Sequence, residues 1–543
     1  MKGQMMMRPL RIADILEYAA LIHPSGEIVS ARVEGDRHRQ TYAETAARTR
    51  QLANGLAALG VEQGDRVATL AWNGYRHFEL YYAISGIGAI CHTINPRLSA
   101  EQMTYIVAHA ADSVLFLDLT FVPLVEKLKD QLPKDLRYVI MTDRAHMPEN
   151  TLNALCYEEI LADQPTTIDW PEFPEDTASA MCYTSGTTGN PKGTLYTHRS
   201  TVIHAMLIAI SLSAALKPGS KILPVVPLFH VNAWGLPYAA PLTGATLVMP
   251  GPGLDGASLF DLMNDEEVYS AWGVPTVWMG LLAEVKKRGR MPKGFKDVVI
   301  GGSAAPRPMI EKFEDQGVNV CHAWGMTEMS PVGTQGNLPV HLEDLPRAER
   351  MRLKAKQGRQ VFGVDLKIVD EDGRRQPHDG EHPGILYVRG NTVTSGYYKN
   401  PEANVEAFDD EGWFATGDIA TIDENGFLTI TDRAKDLIKS GGEWISSLDL
   451  ENIAMGHPDV ANCAVIAVPH PKWDERPLLV VVPEEGKTPK LSEINAMLAE
   501  HFAKWQLPDA IEIVDSLPLT ATGKVSKLNL RKQFADYKLA DAV

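Results

Sequence analysis

The sequence contains few cysteines, and they lack the spacing of a disulfide framework. Five occur among 543 residues, and none belongs to a CxxC pair. An odd number without paired spacing favours reduced, buried thiols, so we expect a cytoplasmic protein. The five are Cys91, Cys156, Cys182, Cys321 and Cys463.

Long apolar runs and an excess of basic residues are also missing. The most apolar span, residues 201–216, is shorter than the ~20 residues of a membrane crossing and contains His204, so it predicts a buried helix. Arg8, Arg11 and Asp14 precede any long apolar run, which argues against a signal peptide. The formal net charge of -17 and the pI of about 5.4 argue against the broad basic face of a nucleic-acid binder.

The pattern along the chain predicts an α/β architecture with more than one domain. Capping boxes at Thr41 and Ser99 open helices that alternate with apolar strands, as in parallel sheets covered by helices. After about residue 355, short alternating strands with glycine turns predict a barrel-like or antiparallel β subdomain. An α+β unit begins near Lys435. We therefore expect a large N-terminal domain over residues 1–433 and a small C-terminal domain over residues 434–543.

The most informative motif is the run YTSGTTGNPKG at residues 183–193. Its glycines let backbone N–H groups approach oxygen atoms, and its hydroxyls and lysine add donors and charge, which predicts a polyphosphate loop. It is not the common P-loop, because Pro191 and Gly193 stand where that motif needs a glycine and a Ser or Thr. A flexible surface loop is the alternative interpretation. The predicted nucleotide-binding residues here are Thr184, Ser185, Gly186, Thr187, Thr188, Gly189 and Lys192.

Further motifs follow in a fixed order: PLFHV at 227–231, HAWGMTE at 322–328, TGD at 416–418, DR at 432–433 and TGK at 522–524. As an ordered set that spans nearly the whole chain, they resemble the adenylate-forming (AMP-binding) superfamily, and within it the acyl-CoA synthetase branch. The chain looks most like the short- and medium-chain fatty acid CoA ligases, a group that includes 3-methylmercaptopropionate CoA ligase.

This resemblance implies an AMP-forming acid–thiol ligase that works in two half-reactions. A carboxylate attacks the α-phosphorus of Mg-ATP to give acyl-adenylate and pyrophosphate, and the thiol of CoA then displaces AMP. The implied cofactor is Mg²⁺, and the implied partners are a small carboxylic acid, ATP and CoA, without nucleic acid or a membrane span. The acid is left open, and so is the oligomeric state, with a homodimer among the options.

The resemblance also assigns roles in the nucleotide site. A carboxylate and a triphosphate repel each other, so the site must supply positive charge and alignment. Lys524 is implied to bridge the carboxylate and the α-phosphate, Thr327 to contact the α-phosphate, and Glu328 to bind Mg²⁺. Asp418 and Arg433 are implied to bind the ribose. In isolation these residues are equally typical of surfaces, helix caps and turns. The other implied nucleotide contacts are Ser303, Ala304, Ala305, His322, Ala323, Trp324, Gly325, Met326 and Ile430.

The implied acyl pocket is built by His230, Val231, Trp234, Gly235 and Gly302. His230 is grouped with the catalytic residues as a gate between the acid and the nucleotide, because a carboxylic acid is already ionised at neutral pH and needs no base. The aspartate with which amino-acid-activating relatives pair an ammonium is absent, so we expect a neutral acyl tail. Trp234 is expected to shorten the tunnel for short or medium acids, although plain core packing explains it equally well.

Residues 432–446, DRAKDLIKSGGEWIS, resemble the hinge and thiol-tunnel segment of the superfamily. Lys435 occupies the hinge position, about which a mobile C-terminal domain is implied to rotate between half-reactions and to withdraw Lys524. A glycine turn that joins two strands is the alternative interpretation. The implied CoA-side residues are Lys439, Ser440, Gly441, Gly442, Glu443 and Trp444.

Two other functions stay open at this point. An adenylation enzyme that loads a carrier protein uses the same nucleotide site, and a catalytically silent nucleotide or acyl sensor keeps the fold without turnover. The sequence shows no carrier domain, which favours free CoA. The joint presence of the lysine, acidic and hydroxyl motif residues favours an active enzyme.

Overall fold

A computed structural model describes residues 1, 3–184, 190–212, 214–433, 435–441, 443–520 and 523–539. The strands are β1 Glu27–Ala31, β2 Arg37–Thr41, β3 Arg66–Leu70, β4 Ile90–Thr93, β5 Asp112–Leu117, β6 Arg137–Ile140, β7 Leu155–Cys156, β8 Ala178–Thr184, β9 Lys192–Thr197, β10 Lys221–Pro224, β11 Thr246–Met249, β12 Ser270–Gly273, β13 Asp297–Ile300, β14 Asn319–His322, β15 Trp324–Gly325, β16 Val332–Gln335, β17 Arg359–Gln360, β18 Val364–Val369, β19 Gly384–Gly390, β20 Phe414–Ile422, β21 Leu428–Arg433, β22 Ile438–Ser440, β23 Glu443–Ile445, β24 Val460–His470, β25 Asp474–Pro483 and β26 Ala510–Ile513.

The helices connect these strands in chain order. They are α1 Ile12–Ile22, α2 Tyr42–Ala58, α3 Tyr75–Gly86, α4 Ala100–Ala110, α5 Val122–Leu128, α6 Tyr157–Leu161, α7 His198–Ser211, α8 Leu236–Thr243, α9 Gly256–Glu266, α10 Pro275–Arg288, α11 Arg307–Asp315, α12 Val340–Glu343, α13 Arg347–Ala355, α14 Pro401–Ala407, α15 Ser447–Ala454, α16 Leu491–Leu498 and α17 Lys527–Gln533. Short 3₁₀ turns lie at Leu119–Phe121, Lys129–Gln131, Arg144–His146, Val231–Gly235, Thr327–Met329 and Lys504–Gln506.

Two seven-stranded sheets with helices packed on them form the large N-terminal part. Their strand orders are β14-β13-β12-β10-β11-β1-β2 and β7-β6-β5-β3-β4-β8-β9. Each is parallel except for an antiparallel hairpin at one edge, β1–β2 or β8–β9. Central strands such as β13 are buried along their whole length, as expected for a parallel sheet covered on both faces. The predicted α/β class is confirmed.

Local capping sets where several helices begin. The side chain of Thr41 accepts from the backbone N–H of Glu44, while the Glu44 carboxylate accepts from the backbone of Thr41. Ser99 and Gln102 form the same reciprocal pair at the start of α4. Both predicted capping boxes are confirmed, because each satisfies helix N–H groups with side chains only three residues away.

The predicted β subdomain is an antiparallel sheet of β18–β21, next to a small sheet of β15–β17. It brings Asp418 on β20 opposite Arg433 on β21, in direct register. The segment that resembles the hinge, residues 432–446, therefore begins inside strand β21. Pairing with β20 holds residues 432 and 433 in this sheet, which their charged sequence alone does not indicate.

The C-terminal α+β unit is built on a five-stranded sheet of order β23-β22-β25-β24, with β26 beside β25. Apolar clusters cover both of its faces, one under α15 and α16 and the other under α17. The carboxylate of Asp432 accepts from the backbone and the hydroxyl of Ser447, at 2.7 and 2.6 Å. Strand β21 is thus tied to this unit directly. The boundary at 433/434 and the mobility of the unit stay predictions.

The helix predicted over the apolar span 201–216 is shorter and less buried than expected. It runs from His198 to Ser211, and Ile210 is 76% exposed. One face of this helix packs on α8, while Ile210 and Met206 are exposed. The apolar composition of the span therefore does not indicate that the whole helix is buried. Over the residues that the structure describes, no helix is long and apolar enough to cross a membrane.

Candidate active site

The predicted nucleotide and acyl residues converge between the β8–β9 hairpin, the β20–β21 pair and the turn that carries Lys524. The β8–β9 hairpin places Thr184 opposite Lys192, at the two ends of the phosphate loop. The ammonium of Lys192 lies 4.9 Å from the ring centroid of Tyr397. The loop residues Ser185, Gly186, Thr187, Thr188 and Gly189 lie outside the described residues, so their predicted contacts stay predictions.

Glu328 and Thr327 lie on the short turn that follows β15. The phenol of Tyr397 donates to Oε1 of Glu328 at 2.7 Å, and the phenol of Tyr196 donates to the carbonyl oxygen of Thr327 at 2.7 Å. Burial raises the pKa of Glu328, while the Tyr397 hydrogen bond and the charges of Arg433 and Lys192 oppose that shift. Tyr397 thus contacts both the predicted metal ligand and the phosphate-loop lysine.

Tyr397 is a residue that the sequence reasoning missed. It follows Gly396 in an otherwise unremarkable GYYKN segment, and 69 positions separate it from Glu328. No local pattern marks it, because its role depends on a bridge to Thr194 that brings residue 397 beside β9.

The implied ribose residues form a charge pair in which the Asp418 carboxylate is buried and the Arg433 guanidinium is partly exposed. Asp418 is 2% exposed, and its two oxygens contact Nε of Arg433 at 2.7 Å and the indole N–H of Trp324 at 3.0 Å. Burial raises the pKa of Asp418, and the charge of Arg433 opposes this shift. The pair presents a carboxylate and a guanidinium side by side, which suits the vicinal hydroxyls of a sugar.

The other segments implied to contact the nucleotide are held by backbone contacts. His322 donates from Nδ1 to the carbonyl of Ala355 at 3.0 Å and accepts at Nε2 from the N–H of Ala305 at 3.2 Å. Burial lowers the pKa of His322 to about 4, which agrees with a neutral ring in this role. A Cβ at Gly325 would lie 2.0 Å from the carbonyl oxygen of Pro331, so glycine is required there. The backbone N–H of Ile430 donates to Gln357 at 2.6 Å.

The other residues of these segments differ in how far they are exposed. Ser303 is exposed, Ala304 is half-buried, Ala323 is buried and Met326 is half-buried. The backbone N–H of Met326 donates to Pro331 at 3.1 Å, which closes the turn that carries Thr327.

Lys524 reaches this cleft from the C-terminal unit. Its Cε lies 3.7 Å from the position that a Cβ on Gly302 would take, and Gly302 has φ +81°. Burial, together with the charge of Arg433, lowers the pKa of Lys524 to about 8, while Asp418 and Glu328 act in the opposite direction. The lysine therefore lies within electrostatic reach of both the ribose pair and the predicted metal ligand.

The acyl segment adopts a strained backbone. Residues 231–235 all have positive φ, from +46° to +79°, although only Gly235 and, to a lesser degree, Asn232 favour that conformation. A left-handed residue other than glycine costs roughly 1–2 kcal/mol, so surrounding contacts must hold this turn. Such contacts come from the Tyr81 phenol, which donates to the Asn232 side chain at 3.1 Å, and from the N–H of Ala233, which donates to the carbonyl oxygens of Pro227 and His230 at 3.2 Å.

The same turn presents His230 and Trp234 to the cleft. The buried indole of Trp234 lies 3.0 Å from the position of a Cβ on Gly301, so glycine leaves room for the ring. Burial, with the charge of Lys524, lowers the pKa of His230 to about 3, so this histidine is neutral at physiological pH. Asn232 is buried against Tyr81, and it brings no charge to the pocket.

The CoA-side residues lie on the β22–β23 hairpin of the C-terminal unit. Ser440 is buried and accepts from Arg476 at 3.0 Å. Gly441 has φ +61°, and a Cβ there would lie 2.9 Å from the ring of Trp473. Trp444 is 47% exposed, and Lys439 and Glu443 are also exposed. Gly442 lies outside the described residues. Burial lowers the pKa of Lys435, the predicted hinge residue, whose role stays a prediction.

Glu328 is a single buried carboxylate rather than part of a metal cluster. In the part of the chain that the structure describes, no group of three or more His, Cys, Asp or Glu side chains is placed to hold a metal ion. One hard oxygen donor beside Lys192 fits a magnesium ion that arrives with a nucleotide, because Mg²⁺ is commonly held by one or two carboxylates together with phosphate oxygens.

Comparison with known families agrees with this arrangement. The profile described as AMP-binding enzyme matches residues 16–398, and the profile of the AMP-binding enzyme C-terminal domain matches residues 449–524. This chain belongs to the AMP-binding enzyme family. The match to the C-terminal profile ends at Lys524, and the stretch between the two profiles contains Asp418, Arg433 and Lys435.

Relatives within the AMP-binding enzyme family align over nearly the whole chain. The 3-methylmercaptopropionyl-CoA ligase of Ruegeria lacuscaerulensis is 49% identical over 539 residues, with 99% of each chain covered. The medium-chain-fatty-acid–CoA ligase of Ectopseudomonas oleovorans is 47% identical, with 99% and 98% covered. Among solved structures, the anthranilate CoA ligase AuaEII in complex with anthranoyl-AMP superimposes with a TM-score of 0.86, at 25% identity and 99% coverage of both chains.

Proposed function

We propose that this chain is an AMP-forming acyl-CoA ligase. It converts a short- or medium-chain carboxylic acid to its CoA thioester through an acyl-adenylate and releases AMP and pyrophosphate. The observation that carries the proposal is the position of Lys524, which lies over Gly302 between the Asp418–Arg433 pair and the acyl segment at His230. The named activities of the relatives support the same reaction class.

The site residues of this chain supply charge and alignment for adenylate formation. Lys524 places a cation where the acid carboxylate meets the α-phosphate, and Lys192 places a second one at the phosphate loop. Fixed charges in a desolvated cleft stabilise a transition state more than the same charges in water. Neutral His230 separates the acyl pocket from the nucleotide without adding charge or taking a proton.

We propose Mg²⁺ as the cofactor, with Glu328 as its protein ligand. The Tyr397 hydrogen bond to Oε1 fixes the orientation of this carboxylate. When bound, Mg²⁺ neutralises negative charge on the phosphates of ATP.

Trp234 and the left-handed turn at 231–235 support a preference for short or medium acids. The indole packs on Gly301 and is held by a strained turn, so it is a rigid wall of the acyl segment. None of the described residues 230–235 of the acyl segment is acidic, and Asn232 is neutral and buried. We therefore propose a neutral acyl tail. 3-Methylmercaptopropionate, the acid in the name of a 49% identical relative, is the first candidate.

A panel of acids tests this function. ATP–pyrophosphate exchange and AMP release with CoA are measured for propionate, butyrate, hexanoate, octanoate, benzoate and 3-methylmercaptopropionate. We expect exchange with the short and medium acids, and AMP release that requires free CoA. Release of ADP and orthophosphate would overturn the reaction class. Turnover that needs a carrier protein would support the carrier-loading alternative, and no turnover with any acid would support the silent sensor.

We also propose a cytoplasmic location. The five cysteines are buried as free thiols, which suits a reducing compartment. The oligomeric state is left open, with a homodimer among the options, and sedimentation of the purified protein would decide it.

A further inference from the structure

The turn that carries Lys524 is shaped by contacts within the C-terminal unit. The N–H of Gly523 donates to the carbonyl of Thr520 at 2.9 Å, and the N–H of Lys524 donates to the hydroxyl of Thr520 at 3.2 Å. Leu519 and Val525 close the turn with an antiparallel bridge. Gly523 has φ +82°, a conformation that favours glycine. These bonds fix the shape of the turn, but they do not fix its position relative to the nucleotide cleft.

A hydrogen bond from the N-terminal part reaches the same turn. The hydroxyl of Thr276 donates to the carbonyl oxygen of Gly523 at 3.1 Å. Thr276 lies in the first turn of α10, and Nη1 of Arg97 lies 3.6 Å from the position of a Cβ on Gly523. The bond therefore joins the residue next to Lys524 to the start of a helix that packs on the first large sheet.

The segment around Thr276 also lines the path of the lysine side chain. Cγ1 of Val274 lies 3.1 Å from the position of a Cβ on Gly302, and Cε of Lys524 lies 3.7 Å from that same position. Thr276 thus contacts the backbone of the lysine turn, while Val274 borders the surface that lies under the side chain of Lys524. Thr276 itself lies beside the lysine turn rather than in the implied nucleotide or acyl contacts.

We propose that Thr276 is a positioning residue for adenylate formation, because its hydroxyl holds the Gly523–Lys524 turn at the distance from which the ammonium reaches the reacting groups. The inference rests on the proposed function. Loss of the donor leaves the Gly523 carbonyl unpaired at the contact between the two units and lets the turn move away. A shift of about 1 Å in a catalytic group lowers a rate by up to about 100-fold.

Three variants test the inference on the full-length protein. T276V keeps the shape and removes the donor, T276S keeps the donor, and T104V is the matched control, because Thr104 bonds to the carbonyl of Ala100 within its own helix. We expect T276V to lower the kcat of ATP–pyrophosphate exchange about tenfold, the effect of one hydrogen bond, with little change in the KM for ATP. T276S and T104V should stay close to wild type. Thioester formation from supplied acyl-adenylate and CoA should be unchanged in all three.

A second readout is independent of turnover. The rate at which an amine-reactive reagent labels Lys524 is measured by mass spectrometry, and we expect faster labelling in T276V than in wild type, T276S or T104V. Unchanged exchange and labelling in T276V would overturn the inference, and so would equal losses in both half-reactions. If the wild type shows no exchange with any acid, the proposed function fails, and the labelling comparison still decides whether Thr276 holds the turn.

Discussion

The nucleotide cleft and the CoA-side hairpin of this chain are built in opposite ways. In the cleft the carboxylates are buried and hydrogen-bonded, Asp418 to Arg433 and Trp324 and Glu328 to Tyr397. On the hairpin Trp444 is 47% exposed, and Lys439 and Glu443 also face solvent. Buried polar networks keep their geometry because each unpaired group would be costly, whereas exposed side chains gain fixed positions only on binding. The site predicted for the first half-reaction is thus preformed, and we expect the site predicted for the second to form fully only when CoA binds.

Removal of the cleft cation should give the largest effect. We expect Lys524→Ala to lower the rate of ATP–pyrophosphate exchange by about 10²–10³-fold, because a fixed charge in a desolvated site is lost. Thioester formation from supplied acyl-adenylate should fall far less. Lys504→Ala, at an exposed lysine of the same unit, is the control and should match wild type. Equal losses in both half-reactions would contradict the role of Lys524.

The ribose pair should give the next largest effect. Asp418→Asn keeps the shape of the side chain and removes its charge, so Arg433 loses its ionic partner. We expect the KM for ATP to rise about 30-fold, in the range of a hydrogen bond to a charged group, while the KM for CoA stays near the wild-type value. Asp410→Asn, at an exposed aspartate, is the matched control. An unchanged KM for ATP would show that Asp418 does not bind the nucleotide.

The pH profile of ATP–pyrophosphate exchange should show a moderate effect, which arises from one group in the cleft. In the proposed mechanism the protonated form of Lys524 is the active one, and the pKa of Lys524 is lowered to about 8. Activity is therefore present below that pKa and is lost as the pH rises through it. We expect kcat/KM of exchange to fall about tenfold between pH 7 and pH 9.

Lys524→Arg provides the control for this profile, because a guanidinium stays charged throughout the range. Its exchange should be slower than that of the wild type but flat between pH 7 and pH 9. The pKa of His230, lowered to about 3, lies outside that range. A flat wild-type profile up to pH 9 would contradict the assignment to Lys524.

The hairpin should give the smallest effect, in the other half-reaction. We expect Trp444→Ala to lower kcat/KM for CoA about fivefold, the size of one aromatic contact, and to leave ATP–pyrophosphate exchange unchanged. Trp505→Ala, at an exposed tryptophan outside the hairpin, is the control. A loss in exchange would show that the hairpin serves adenylate formation as well, which would end the contrast between the two regions.

Local signals predicted part of the fold well. The helix starts at Thr41 and Ser99 were predictable, because a capping box lies within four consecutive residues. The end of strand β21 at Arg433 was not predicted, since its charged residues are held by pairing with β20. The left-handed turn was also not predicted, because Gly235 and Asn232 each tolerate positive φ but do not indicate five consecutive left-handed residues.

The sequence by itself determined the family and the reaction class, because the motifs occur in a fixed order and each loop or cap is encoded by neighbouring residues. Only the tertiary structure decided the ionisation of Lys524, the anchoring of its turn by Thr276 and the contact of Tyr397 with both Glu328 and Lys192. Burial and electrostatic coupling arise from groups that lie far apart along the chain, so no local pattern records them.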